Sequence, residues 1–447
     1  MNKNIFFERR YIIAVVSIII LCFLLNVFKN ANVLVFGLYL IIYAYITFIF
    51  LVQERKSLLN IKSIFVTLYS IMIGLAPVFY CIKNKFASVN SIRNQYLMIL
   101  IGYFSMVFFW NIINIYINKK FFNIKIIKKD KNQTRAFVFS IILISISLIA
   151  NLIYILTNIN YFFGENLEVG RIAALSSNGI IIVLSTFNLP GIALLYDYVI
   201  KTGKYKKLLI FVLIFNSILF LIRGSRTNII NMFIVILLIR NRYKKFVIKQ
   251  IVIFGVVLLI VISASQMYRS RKSSEKISLI TTLSNNLQTG SVNLKYIRNT
   301  FPSKHRFQYG YTYLINIFMM LPGDDLDFTL WLKEKAGLYF KGGGLTPTII
   351  GEGYINFAYI GIITSMILVS IIGNWLNNQY FDKKMDVAWN AYLITKMLDI
   401  FRGGFANVEI GILVFIFLRV SYTYVYKRLY KYIIERIERK SWKRKKI

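Results

Sequence analysis

"KYKKLLIFVLIFNSILFLIRGSRTNIINMFIVILLIRNR", residues 204–242, holds two apolar runs, 207–222 and 227–239, joined by a short turn with two arginines and bracketed by basic residues. About 20 apolar residues in a helix cross a bilayer core of roughly 30 Å. The stretch therefore reads as a helical hairpin in a membrane, although its second arm is short for a full span.

Working outward, the same pattern recurs at 11–28, 33–53, 63–82, 96–117, 136–157, 178–200, 249–265, 353–375, 387–401 and 407–426, which makes twelve runs in all. The run 387–401 carries Lys396 and Asp399 and is a weaker span for it. The first run is too long for a signal-peptide core and lacks a small-residue cleavage site, so it reads as a retained helix. The chain is 57% hydrophobic and 16% aromatic, with 5 prolines in 447 residues. The expected fold is an all-α polytopic membrane protein with about twelve transmembrane helices. The expected divisions are helices one to nine over 1–265, a large external loop over 266–352, helices ten to twelve over 353–426, and a basic tail over 427–447.

Charge sets the orientation. With the N-terminus in the cytoplasm, the inside segments carry 34 lysines and arginines against 8 in the short outside loops. Long loops translocate regardless of charge and are left out of such a count. Both termini are thus expected on the cytoplasmic side, and the net charge of +37 reads as topology plus attraction to anionic lipid, with no nucleic-acid partner implied. The basic tail alternates with apolar residues, as an anchor on the inner leaflet would. Two cysteines, Cys22 and Cys81, and one histidine, His305, exclude a disulfide framework and a histidine metal cluster.

No internal repeat is apparent, and the one large loop falls between the ninth and tenth runs. That asymmetry favours a membrane enzyme with an external site over an inverted-repeat carrier. Arginines beside glycines stand at outward turns: Arg171 in "VGRIAAL", Arg223 and Arg226 in "RGSR", Arg402 in "FRGGFANVE". A planar guanidinium meets phosphate oxygens in a bidentate way, and neighbouring glycines let the backbone approach an anion. The alternative for each arginine is snorkelling to lipid phosphates.

In "KGGGLTPTIIGEGYINFAYIG", residues 341–361, Gly342, Gly343 and Gly344 read as a flexible loop, and Glu352 stands at the mouth of the tenth helix. Its carboxylate either caps that helix or faces a cavity as a general base. Asp324, Asp325 and Asp327 read as a solvated cap rather than a calcium loop. Glu165 and Glu168 read as partners for basic residues. His305 is external and either incidental or catalytic. The segments 276–299 and 311–323 have one apolar face each, and are expected to lie on the outer membrane surface as interfacial helices.

These features resemble the oligosaccharide repeat-unit polymerases, the O-antigen and capsule polymerases of the Wzy type. The resemblance rests on the topology, on "LIRGSRTNII", on the glycine-rich stretch with Glu352, and on "FRGGF". One departure is that Arg298 reaches Gly310 one position late for the arginine-to-glycine spacing of external loops in some members. The resemblance implies a C-type glycosyltransferase-like fold. It also implies transfer of a glycan from undecaprenyl diphosphate onto a new lipid-linked repeat unit, with undecaprenyl diphosphate released, and neither cofactor nor metal is implied.

The assignment expected on that basis gives the donor diphosphate to Arg223, Arg226 and Arg402. Arg171 and Arg306 serve the second diphosphate or the glycan, with Gly343 and Gly344 beside it, and Glu352 or His305 takes the proton. The expected partners are the lipid-linked oligosaccharide, membrane lipids and a chain-length regulator protein, at the bacterial plasma membrane. A lipid-linked oligosaccharide flippase, a wall-polymer or O-antigen ligase and a structural scaffold are the competing classes.

Overall fold

The computed structural model describes residues 32–52, 60–83, 89–116, 133–163, 179–244, 279–318, 327–340, 343–381 and 386–426, with 428 and 432. In chain order the helices are α1 (Asn32–Val52), α2 (Ile61–Tyr69), α3 (Ala76–Lys83), α4 (Val89–Tyr116), α5 (Gln133–Thr157), α6 (Ile159–Phe163), α7 (Gly179–Ser185), α8 (Asn188–Thr202), α9 (Lys206–Ile222) and α10 (Arg226–Tyr243). There follow α11 (Leu279–Thr300), α12 (Ile315–Phe318), α13 (Phe328–Lys335), α14 (Thr348–Phe381), α15 (Val387–Leu398), α16 (Ile400–Gly403) and α17 (Glu409–Val420). Among the described residues there is no strand.

Ten of the twelve apolar runs coincide with helices; the runs 11–28 and 249–265 lie outside the described residues, as does nearly all of the basic tail. Five helical stretches are long and apolar enough to cross a membrane: Ile61–Cys81, Arg93–Ile113, Gln133–Thr157, Gly179–Thr202 and Thr348–Tyr380. The short second arm of the hairpin is longer than its apolar run, because α10 continues through Arg240 and Arg242 to Tyr243. Hydropathy ends where charges begin, whereas the backbone ladder continues wherever polar side chains can point to an aqueous end.

Two compact units divide the chain. The first comprises residues 1–124, 276–378 and 398–407. Its core is a tyrosine stack in which Tyr39 lies 4.3 Å from Tyr96, Tyr43 4.8 Å from Tyr103, and Tyr69 4.9 Å from Tyr103, ring centre to ring centre. The hydroxyls need partners in an apolar medium and find them in broken backbone. Between α2 and α3 a π-helical turn, Ser70–Gly74, precedes Pro77, and Tyr39 donates to the freed Gly74 carbonyl. Tyr43 shares a 2.6 Å hydrogen bond with Ser70. The helix expected over 276–299 is present as α11, yet it packs against protein: Gly290 abuts the Met72 carbonyl, and Ser291 donates to Gln95 at 2.7 Å. Its apolar face is turned to the bundle rather than lying on lipid.

The tenth span departs furthest from expectation. α14 is broken at Phe357 (φ −141°, ψ 30°) and Ala358 (φ 53°, ψ −138°). A Cβ on Gly353 would lie 2.6 Å from the Gly361 carbonyl oxygen. A straight helix holds residues eight apart at about 12 Å. The segment 348–356 therefore folds back sharply on the start of the segment from 359, and two glycines permit that backbone contact. Gly344 is also a packing position and not a flexible one: its α-carbon lies against Thr329 of α13, and the neighbouring Leu345 donates to the Thr329 carbonyl at 2.8 Å.

The second unit comprises 125–275, 379–397 and 408–447. Its sixth run is two helices, α7 and α8, which part at Thr186–Phe187. Pro190 removes the N–H that would have reached the residue 186 carbonyl. Ser147 of α5 donates its hydroxyl to the adjacent Ser185 carbonyl at 2.7 Å, next to the break. Gly191 lets α8 approach α5 closely at Ile144.

Candidate functional site

In the first unit the folded-back segment 348–356 carries Glu352, whose side chain is fully buried at 0% exposure. Its carboxylate accepts the backbone N–H of Phe405 and, at 3.1 Å, that of Ala406. Gly404 at φ +75° bends the chain so that both N–H groups face one way, and its α-carbon touches the Glu352 carboxylate. The pair forms an anion-binding concavity of the kind that successive backbone N–H groups make. Glu352 lies in the second turn of α14 and does not cap that helix. Arg402, half-buried on α16, stands two residues before Gly404, so backbone N–H groups bring "FRGGF" and Glu352 together.

Around this turn the polar side chains interlock. Asn316 donates to the Ala406 carbonyl at 2.8 Å and accepts from the Phe328 N–H at 3.0 Å. Asn356 donates to Thr312 at 2.6 Å and accepts from the Gly310 N–H at 2.8 Å. Burial pushes the Tyr313 hydroxyl up in pKa, against a 3.1 Å hydrogen bond with Ser365, and the charge of Glu352 adds to the push. Tyr313 is therefore a hydrogen-bond donor and not a base. Asp327 caps α13 by accepting the Thr329 N–H at 2.8 Å, as expected of a cap. Asp324, Asp325, Glu165, Glu168, Arg171 and Gly342 lie outside the described residues.

Arg298 was not among the expected ligands. It projects from α11 to donate to the Asn94 amide oxygen on α4, and it hydrogen-bonds Tyr354 on the folded-back segment. The helical spacing of 279–300 was the available signal, since it puts Arg298 on a turn beside the buried Leu294 and Ile297. His305 follows α11 on a turn, half-buried, with its ring 6.1 Å from Phe301. Arg306 is exposed, and Gly343 half-buried.

In the second unit Arg223 ends α9 and its N–H bonds the Leu219 carbonyl at 3.1 Å. The residue is 7% exposed, and its guanidinium donates to the Asn151 amide oxygen of α5 and lies 4.4 Å above the Tyr154 ring. Snorkelling to lipid is thus not what Arg223 does; a carbonyl and a π-face take its charge inside the bundle. Arg226 opens α10, and only its backbone falls within the described residues. No group of three metal-ligating side chains occurs among the described residues.

A family model decides what this architecture belongs to: it matches residues 11–431 and describes the O-antigen polysaccharide polymerase Wzy. The chain belongs to that family. It is therefore a multi-pass membrane protein of O-antigen polysaccharide polymerisation, and the lipid-linked oligosaccharide repeat unit is the family's substrate. No curated protein and no solved structure matches the chain.

Proposed function

We propose that the protein joins oligosaccharide repeat units at the outer face of the bacterial plasma membrane, using undecaprenyl-diphosphate-linked glycan as donor. The observation that carries this reading is the family match over 11–431. In this reading the fold is of the C-type glycosyltransferase class with about twelve spans and cytoplasmic termini, and a chain-length regulator acts beside it.

The hydroxyl of the incoming unit attacks the anomeric carbon of the donor. Its C–O bond to the phosphate breaks, the electron pair leaves with undecaprenyl diphosphate, and the hydroxyl proton passes to a base. Cations fixed where the leaving diphosphate gains charge lower the barrier. Arg226 and Arg402 fill that role, with Arg223 holding the turn from which Arg226 springs, and Arg171 and Arg306 serve the second diphosphate or the glycan. Gly343 and Gly344 shape the loop beside the glycan. Glu352 acts as a positioning residue: with two backbone N–H groups on its carboxylate, it holds the "FRGGF" turn and so places Arg402. His305, half-buried and outside that network, is the proton acceptor.

The test is complementation of cells lacking the gene, with glycan length read by gel and membrane level checked. Wild type restores a ladder, and Arg226→Ala gives single repeats at equal protein level. A normal ladder from that variant contradicts the diphosphate role, and absence of any externally displayed repeat in the deletion indicates a flippase instead.

A further inference from the structure

In the second unit the turn that joins α8 to α9, "KTGKYKK" at residues 201–207, carries four lysines on a backbone of fixed shape. Gly203 closes α8 at φ +69°, with its N–H on the Val199 carbonyl at 2.8 Å. Tyr205 then opens α9 at φ +60° and ψ 28°, a left-handed conformation that a residue with a Cβ keeps only when its surroundings hold it there. Three rings do so. Tyr205 stacks on Phe137 of α5 with 4.7 Å between ring centres and 19° between planes, and Tyr198 of α8 lies 4.7 Å from the same Phe137. Tyr205 is still 52% exposed. Lys204, Lys206 and Lys207 on either side of it are exposed and make no ion pair among the described residues.

The acidic side chains described at this end of the unit face inward. Asp197 pairs with Lys201 and accepts the Tyr243 hydroxyl at 2.5 Å, and Asp386 accepts Arg419 at 3.1 Å. Tyr243 ends α10, so the exposed Arg240 and Lys244 are carried to the same end. Anions are thus met inside and cations are shown outside. The orientation of a membrane protein needs only a number of lysines on the cytoplasmic side, in any conformation. A turn pinned by stacked rings in a costly backbone conformation goes further and presents its lysines as a surface.

The chemistry of the partner follows from the turn's place. α8 ends a stretch long and apolar enough to cross a membrane, and α9 begins another apolar helix, so the turn between them lies at the level of the lipid headgroups. A half-exposed tyrosine suits that level, and the matching charge there is anionic phospholipid. Three ammonium groups within four residues exceed the single charge of one phosphodiester and fit two. We infer that the 201–207 turn docks an anionic phospholipid whose headgroup carries two phosphates, with Lys204, Lys206 and Lys207 on the phosphates and the Tyr205 ring at the acyl boundary.

Full-length protein in nonionic detergent is titrated with cardiolipin, phosphatidylglycerol and phosphatidylcholine, and bound lipid is counted by native mass spectrometry. One cardiolipin is expected to be retained more tightly than either other lipid. A basic residue beside an anionic lipid surface is worth about fivefold, so Lys204→Gln, Lys206→Gln and Lys207→Gln combined weaken cardiolipin by about a hundredfold, while arginine at the same three positions keeps it within about threefold. These side chains are exposed, so the melting temperature is expected to be retained. Glutamine at Lys443, Arg444 and Lys445 of the tail removes the same charge and leaves cardiolipin binding unchanged. Tyr205→Gly keeps every charge and accepts the left-handed backbone, yet loses the ring that pins the turn, and so weakens cardiolipin. Unchanged binding in the lysine-to-glutamine triple or in Tyr205→Gly overturns the inference. Equal weakening by the tail variant, or displacement of cardiolipin by an equal concentration of inorganic pyrophosphate, overturns it as well.

Discussion

Glu352 in the first unit and Lys396 in the second are both ionisable side chains carried on apolar helices, and they differ in how their charge is met. The backbone N–H groups of Phe405 and Ala406 hold the Glu352 carboxylate inside the fold. Lys396 faces a cleft of amides and hydroxyls with no counter-ion among its lining. The comparison teaches that a charge answered from within organises the protein, whereas a charge left open to a cavity ties nothing together. Arg223 belongs with Glu352 on this scale, since Asn151 and Tyr154 take its guanidinium.

Substitution breaks or sharpens that contrast. Glu352→Gln removes a charged acceptor from two buried donors and sets an NH₂ against an N–H, so a loss of about 3 to 5 kcal/mol is expected. It is measured as reduced melting temperature in nonionic detergent, and polymer length falls in parallel; a variant with wild-type stability and no polymer would instead make Glu352 the base. Arg223→Ala loses a charge-assisted hydrogen bond and a cation–π contact, about 2 to 4 kcal/mol by the same assay. Arg223→Lys is expected to recover part of it, because the ammonium keeps the charge and loses the planar fork.

Gly353→Ala forces the folded-back segment off its partner and costs about 1 to 3 kcal/mol. Its effect shows as faster protease cleavage near residues 343–358. Lys396→Met has the opposite sign in stability, unchanged or raised melting temperature, since no internal partner is lost.

The smallest effect concerns pH. Asp386 precedes α15, and burial raises its pKa even though Arg419 at 3.1 Å and Lys201 oppose the shift, while Asp197 adds to it. A carboxyl whose folded pKa lies above its unfolded value binds its proton more tightly when folded. The stability this provides is present at low pH and fades as pH rises through the folded value. Asp386→Asn therefore flattens the dependence of melting temperature on pH in that window; an unaltered curve would place the titration elsewhere.

Much of the fold was legible because hydropathy is a one-dimensional property. Runs such as 136–157 need only be apolar and long, and they appear as helices with nearly the expected bounds. What was hidden depends on backbone. Gly353 and Gly361 are eight apart in an apolar run, and nothing in hydropathy reports that their backbones touch. Pro190 was visible, yet nothing in the sequence reports that Ser147, 38 residues before Ser185, bonds the Ser185 carbonyl beside the break. Of the site, Glu352 and "FRGGF" were both read as outward features, but their bond is between a side chain and two amides, which residue type does not reveal. Arg298 was passed over because it sits in a polar amphipathic helix and not at a glycine turn. Lys396 was read as a flaw in a span, since an apolar pattern marks a charge as an exception without saying which cavity it faces.

The most direct test of the account is reconstitution of the purified protein in liposomes with a defined lipid-linked repeat unit, following both product length and released polyprenyl diphosphate. A ladder of products is expected, with one polyprenyl diphosphate released for every linkage formed. Movement of the repeat unit across the bilayer without chain growth, or growth without diphosphate release, would contradict it.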